Sequence, residues 1–215
     1  MSLDRRRIIE LFEELGRRLE ARGVRRELYV VGGAAIALAY DERRATHDID
    51  AVFEPKMVVY DEASVRARDL SLDEGWLNDA VKAFLPGPDP QADVVLDRPG
   101  VSVATASPRL LLALKVLAHR SGEDEDDVRL LARALGLTSA SEVLAVAEDV
   151  VGDRLDLAAR FFVEELFVTK AGPLDSGASS AADWLTPATA TGLTPVERHR
   201  GERPTAEVLD EDRAE

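Results

Sequence analysis

Ile8, Ile9, Leu11, Phe12, Leu15 and Leu19 recur at helical spacing with Arg and Glu between them. This predicts an amphipathic helix that ends near Gly23. Residues 28–31 are a short apolar strand running into Gly32-Gly33, and the Ala-rich residues 34–40 predict a helix directly after it. Residues 49–53 predict a second strand. Helices are expected over 57–69 and 74–84, closed by Pro86-Gly87-Pro88. Residues 93–96 and 101–105 alternate like strands and are joined by Asp97-Arg98-Pro99-Gly100, a strong turn signal. The rest is helical. Ser107 caps a helix with Pro108 at its first position, and Leu111, Leu112, Leu114, Leu117 and Ala118 are assigned to its buried side. A helix over 124–135 stops at Gly136, Ser139 with Glu142 forms a capping box, and Asp153 is expected to cap a last helix reaching about Phe167.

The pattern implies an α/β (α+β) protein. A small mixed-sheet domain with an N-terminal helix spans 1–106, and a helical domain spans 107–170. Residues 171–215 hold four Pro, four Gly, nine acids and four bases, with clustered Ser, Thr and Ala. Such a segment buries too little apolar surface to offset its ordering entropy and is expected to be a disordered tail, dispensable for chemistry. Trp184-Leu185 is the one place in it where a short contact is expected.

Composition narrows the chemistry. With 27 Lys+Arg against 41 Asp+Glu the net charge is -14, so overall charge does not hold this chain to nucleic acid. There is no Cys, which excludes disulfides and thiolate sites, and three scattered His do not suggest a zinc site. No apolar run reaches membrane-spanning length and the start does not read as a secretory leader, so a cytoplasmic protein without a membrane partner is expected.

The chemistry concentrates between Tyr29 and Phe53. A strand ends in Gly32-Gly33 and a helix begins at once, which offers unpaired N–H groups to a phosphate. Asp48-Ile49-Asp50 then leads into a strand. Residues at i and i+2 of a strand share a face, so the two carboxylates stand together while Ile49 faces the core. Mg²⁺ (or Mn²⁺), which prefers carboxylate plus phosphate oxygens, would relieve their repulsion. The dinucleotide and Walker A glycine patterns are both absent.

Gly32-Gly33 followed by Arg44, Thr46, Asp48 and Asp50 resembles the signature of the polymerase β-type nucleotidyltransferase superfamily. The Arg-x-Thr-x-Asp-Ile-Asp spelling is most similar to its AbiEii-like branch, which includes toxins of toxin–antitoxin systems. Residues 111–118 with Asp124-x-x-Asp127 resemble the same branch, as does Gly75-Trp76-Leu77-Asn78-Asp79 more loosely. The resemblance implies transfer of a nucleoside monophosphate from a nucleoside triphosphate, with Asp48 and Asp50 holding the metal. It implies that Gly32, Gly33, Arg44 and Lys115 contact phosphates, and that Thr46 bonds phosphate or is a target of self-modification. Trp76, Asn78, Asp79, Asp93 and Asp124 are further cleft candidates. The third carboxylate, the general base of the superfamily, is assigned first to Asp127, with Asp93 as the alternative.

Lys115 has a second reading, a surface Lys whose stem lies along Leu neighbours. Of the acidic run from Glu123 to Asp127, Asp127 is expected to turn inward and the rest to be solvated. The resemblance implies transfer RNA as an acceptor and an antitoxin as a partner. Eight Arg against five acids in the first 26 residues make a local basic helix that could hold RNA, or an ordinary solvated face. Two other readings are a nucleotide-binding regulator without transfer, and transfer to a protein or small molecule.

Overall fold

Alternation of apolar and polar residues along short strands builds a half-covered sheet. The computed structural model describes residues 2–168. Strand β1 (Leu3–Asp4) leads into α1 (Arg5–Ala21), where the Asp4 carboxylate accepts the Arg7 N–H at 2.8 Å. β2 (Arg26–Val30) and α2 (Gly32–Ala39) follow, then β3 (Ala45–Thr46), β4 (Ile49–Phe53) and α3 (Lys56–Leu70). β5 (Leu77–Asn78), a 3-10 turn over Ala80–Phe84, β6 (Asp93–Arg98) and β7 (Val101–Thr105) complete the sheet region. The described residues end in α4 (Pro108–Ala118), α5 (Glu125–Ala134), α6 (Ala140–Val151) and α7 (Leu157–Phe167).

The main sheet is five-stranded, in the order β5-β4-β2-β7-β6. β2 runs antiparallel to β4 and parallel to β7; β5 is parallel to β4 and β6 antiparallel to β7. This is the mixed sheet the sequence implies. β1 pairs separately with β3, Leu3 opposite Thr46.

The two faces of the sheet differ. Leu28, Val30, Ile49, Ala51, Phe53, Val101 and Val103 are buried on one face. α1 lies on that face, and the fit is backbone against backbone: a Cβ on Gly100 would stand 1.9 Å from the Gly16 carbonyl oxygen. The alternate residues Tyr29, Asp50, Val52, Ser102 and Ala104 point to the other face and stay half-exposed.

Three expectations need correction. Residues 74–84 are not a helix. Asp73 accepts the Gly75 N–H at 2.8 Å in a tight turn, and the indole of buried Trp76 donates to the Ala63 carbonyl at 3.1 Å. Anchored there, residues 77–78 gain more from pairing with β4 than from a helical turn. The last helix is capped by Asp156, not Asp153: its carboxylate accepts the Ala159 N–H at 2.8 Å, while Asp153 sits in a 3-10 turn (Gly152–Arg154). Along α4, Ala118 is exposed and not on the buried side as expected, while Lys115 is buried. The Ser107 cap and the Ser139–Glu142 capping box are present. The expected tail over 171–215, including Trp184-Leu185, lies outside the described residues.

The Gly100 contact gives a test. Gly100→Ala forces α1 off the sheet and should cost about 3 kcal/mol, the upper end of overpacking penalties. Urea unfolding of the variant measures it, and an unchanged midpoint would show that the packing of α1 on the sheet is looser than described.

Candidate active site

β2 ends at Val30, and the Val31 N–H donates to the Asp50 carbonyl at 2.9 Å. Gly32 then takes φ +63°, a left-handed value that glycine adopts without strain. A Cβ on Gly32 would lie 3.1 Å from Asp50 Oδ2, and one on Gly33 would lie 3.1 Å from Thr46 Oγ1. The glycine turn is therefore pressed directly against the two residues that the sequence singles out beside it. No side chain caps the start of α2, so its first N–H groups and its positive dipole end face this same place.

Asp50 is half-buried on β4, and Asp48 is exposed one residue before the strand. Ile49 between them is fully buried, as expected. Burial pushes the Asp50 carboxyl up, and the charge of Asp48 pushes it further. A hydrogen bond from Asn78 and the charges of Arg120 and Lys115 oppose this without cancelling it. Asn78 is the register partner of Asp50 across the parallel β4–β5 pair.

Behind these carboxylates lies a buried ionic cluster. Lys115 Nζ is 2.6 Å from Asp124 Oδ1 and 2.9 Å from Asp127 Oδ2. Arg44 closes the cluster on one side, with Nη2 donating to Asp127 Oδ2 at 2.7 Å. Arg120 closes it on the other, donating through Nε and its backbone N–H to Asp124 Oδ2 at 3.1 and 3.2 Å. Asp124 is 0% exposed and Asp127 2%, so both turn inward, not Asp127 alone. Burial pushes Asp124 up, but hydrogen bonds from Arg120 and Lys115 outweigh it and hold the carboxyl below the usual range. Lys115 is 7% exposed, held by charge and not lying along the surface.

The remaining candidates sit apart from this cluster or serve it differently. Trp76 is a core anchor. Asp79 is occupied by Lys56 and by the Tyr60 hydroxyl at 2.7 Å. Asp93 pairs in register with Thr105, which pairs with Val30, so it belongs to a row whose strand neighbours are buried on the covered face. Asp50 points to the other face. Asp127 is already engaged by two cations.

Arg120 is absent from the sequence-based candidates. Its guanidinium is more than half exposed and bears electrostatically on Asp50. Its signal was its place four residues before Asp124, a spacing that allows a helical-type pair. Asp89 was missed as well. It accepts the Tyr29 hydroxyl at 2.7 Å and the Ser107 N–H at 2.8 Å. Burial raises its carboxyl, but these bonds hold it low. It also accepts the Gln91 N–H at 3.3 Å in a local turn, but nothing in that turn marks the two distant donors.

Residues 6–87 match the sequence profile of a family described as nucleotidyltransferases of unknown function (DUF6036). That segment is similar to nucleotidyltransferases. It contains the glycine turn, Arg44, Thr46, both aspartates and Asn78, and stops short of Lys115. The matched description names nucleotidyltransferases and does not name the AbiEii-like branch suggested by the motif spelling. Among solved structures, an antigenic nucleotidyltransferase-like protein from Paracoccidioides brasiliensis is similar at 17% identity with a TM-score of 0.42, covering 76% of this chain and 96% of that chain. No curated protein matches the chain.

The cluster makes Lys115 structural, whatever else it does. Lys115→Met leaves two buried carboxylates with one arginine each. Removing one partner of a buried ion pair costs about 3–5 kcal/mol, and the remaining arginines place the expected loss near the lower value. Thermal and urea unfolding at pH 7 check this; a variant as stable as the parent would show that Arg44 and Arg120 alone neutralise the site.

Proposed function

We propose that this chain is a metal-dependent nucleotidyltransferase, with Asp48 and Asp50 as the metal-holding pair and the Gly32–Gly33 turn as the phosphate cradle. The observation that carries the reading is the 3.1 Å approach of a Gly32 Cβ position to Asp50 Oδ2, which brings the helix start against a carboxylate that also feels the Asp48 charge. Helix start and carboxylates favour opposite charges, and a nucleoside triphosphate with Mg²⁺ offers both. The donor set fits the ion. The described residues contain no group of three or more metal-ligating side chains, and Mg²⁺ typically takes one or two carboxylates with substrate phosphates completing its shell. Beyond the effect of burial, the Asp48 charge pushes the Asp50 carboxyl up, and such a cation removes that repulsion. When bound, the metal supplies charge neutralisation at the phosphates.

The chain's own groups position and neutralise. The free N–H groups of α2 hold outer phosphate oxygens, with Thr46 beside them. Arg120 presents an anchored guanidinium toward Asp50. Arg44 keeps a buried Nε–H with no partner among the described residues, a donor available to a phosphate oxygen. Lys115 holds the carboxylates that orient both arginines and adds its own positive potential. In the transfer step an acceptor oxygen bonds to the α-phosphorus, and the bond from that phosphorus to the bridging oxygen breaks. Pyrophosphate leaves with the electron pair, and the acceptor proton passes to water. Such a step needs positioning and charge stabilisation more than covalent help from the protein.

A regulatory nucleotide-binding role is the second reading, favoured by one observation: the strand neighbour of Asp50 is Asn78 and not a carboxylate. The transfer-RNA acceptor and antitoxin partner implied by the resemblance gain no support from α1. Arg6 and Arg7 pair with Glu10, Arg17 with Glu14, and Arg18 and Arg22 with Glu62. These arginines also sit on the helix that covers the face opposite Asp50.

Incubation of the full chain with each α-labelled nucleoside triphosphate and Mg²⁺, with candidate acceptors, separates the readings. Transfer predicts labelled acceptor and pyrophosphate; binding without either product favours the regulator; no Mg²⁺-dependent nucleotide binding removes both. Asp48→Asn and Asp50→Asn should abolish binding while leaving the fold intact.

Asp50→Asn carries a second expectation, in the metal-free protein. A carboxyl raised in the folded state disfavours folding once it ionises, so the cost is present at pH 7 and disappears as pH falls below the usual carboxylate range. The variant should melt above the parent at pH 7 and level with it near pH 3. A lower melting temperature at pH 7 would mean that the Asn78 hydrogen bond outweighs the repulsion.

A further inference from the structure

The open face of the sheet carries a cleft of about 490 Å³ lined by Tyr29, Val52, Val94 and Ala104, with Glu27, Glu54 and Ser102 at its polar end. It lies on the face to which Asp50 points. Along β4 the residues Asp50, Val52 and Glu54 share that face, and at about 3.3 Å per residue the cleft floor starts about 7 Å from Asp50 and its acidic end lies about 13 Å away. We propose that this cleft is the acceptor subsite, and that it takes a small molecule with an apolar body and a protonated amine.

This inference rests on the nucleotidyl-transfer reading. Three features select the ligand class. The volume is that of a small-molecule site and is too small for a folded macromolecule to enter. The floor is apolar and aromatic, and Val94 is 63% exposed at its edge, a surface that gains from covering. The polar end is anionic. β2 and β4 pair Leu28 with Phe53, so the register extended by one residue brings Glu27 to Glu54. Like charges opposite each other across two strands repel. Lys82 bonds Glu54 at 2.5 Å from outside the lining, whereas Glu27 has no ion pair among the described residues. The lining contains two carboxylates and no cation, which disfavours a polyanion and favours an ammonium group. A hydroxyl at the other end of such a molecule is then directed toward Asp50 and the phosphates.

The test uses a matched pair of probes on the full chain: tyramine, which carries an ammonium group, and tyrosol, which carries a hydroxyl in its place. Amide NMR titrations follow Tyr29, Val52, Ser102 and Ala104, and Mg²⁺–ATP is titrated separately while Gly32, Gly33 and Asp50 are followed. Tyramine should shift the cleft resonances and bind about threefold tighter than tyrosol, the ratio expected from exposed carboxylates of which Glu54 is already bonded to Lys82. The double variant Glu27→Gln, Glu54→Gln should lose that preference and keep Mg²⁺–ATP binding. Equal affinity for the two probes, no shifts in the cleft, shifts there caused by ATP itself, or binding of a short RNA hairpin at these residues would each overturn the proposal while leaving nucleotide binding in place. Failure of all four Mg²⁺–nucleoside triphosphates to bind the parent protein, with tyramine still bound, would instead overturn the transfer reading and the acceptor role with it.

Discussion

The site depends on the charge held by Lys115. One ammonium group, almost wholly removed from water, stands between Asp124 and Asp127. Burying such a group costs several kcal/mol unless it is paired and its hydrogen bonds are completed. Here Arg44 and Arg120 complete them from two sides. The pairing joins three parts of the chain that are far apart in sequence: the loop before β4, the middle of α4 and the first turn of α5. Glu123 also pairs with Arg120, so three carboxylates stand against the three cations. Arg120 is the most exposed of the three, and it acts on Asp50. The cluster thus brings the charges of Arg120 and Lys115 to bear on Asp50, whose carboxyl is pushed up by burial and by the Asp48 charge.

The glycine turn supplies the second constraint. A helix start binds phosphate only if its N–H groups are reachable, and Gly32 and Gly33 keep the backbone within contact of Asp50 and Thr46 by having no side chain to hold it off. β1 supports the same loop from behind by pairing with Ala45 and Thr46. Geometry held by strand pairing and packing is stiffer than geometry held by a free loop, which is what a site with little covalent chemistry requires.

These features differ in how far sequence shows them. The strand, Gly-Gly, helix and Asp-x-Asp order is local, and each link follows from backbone periodicity, so the core of the candidate site and the mixed α/β class were legible. The caps at Ser107 and Ser139 were legible for the same reason. Residues 74–84 were not, because Trp76 is fixed by a carbonyl on α3 and β5 exists only through β4. Lys115 had two readings on pattern alone, since a charge among leucines can be surface or core. The deciding partner, Asp127, is itself locked by Arg44 across 83 residues of chain. In the acidic run, Asp124 and Asp127 are three apart and fall on one helical face. Which acids turn inward was set by where α4 lies, which no local pattern states. Asp89 reads locally only as a turn residue that accepts the Gln91 N–H; its other donors, Tyr29 and Ser107, are long-range.

The separation of the sheet into two faces decides what can reach the phosphates. The arginines of α1 are matched by glutamates on its own surface and on α3, and the helix spends its apolar side on the covered face. Its local excess of positive charge therefore projects away from Asp50. On the open face the sign reverses. Glu27, Glu54, Asp89 and Asp50 occur along one surface, and the cations nearest Asp50 come from the ionic cluster behind it. A polyanionic acceptor would meet repulsion along the open face and attraction only at the end where the triphosphate must already sit. A cationic acceptor meets the opposite gradient: it is drawn to the acidic end and repelled from the cluster, so its two ends are sorted before any specific contact forms. The same charge arrangement that holds a nucleotide at one end of the sheet thereby orients what is presented to it from the other.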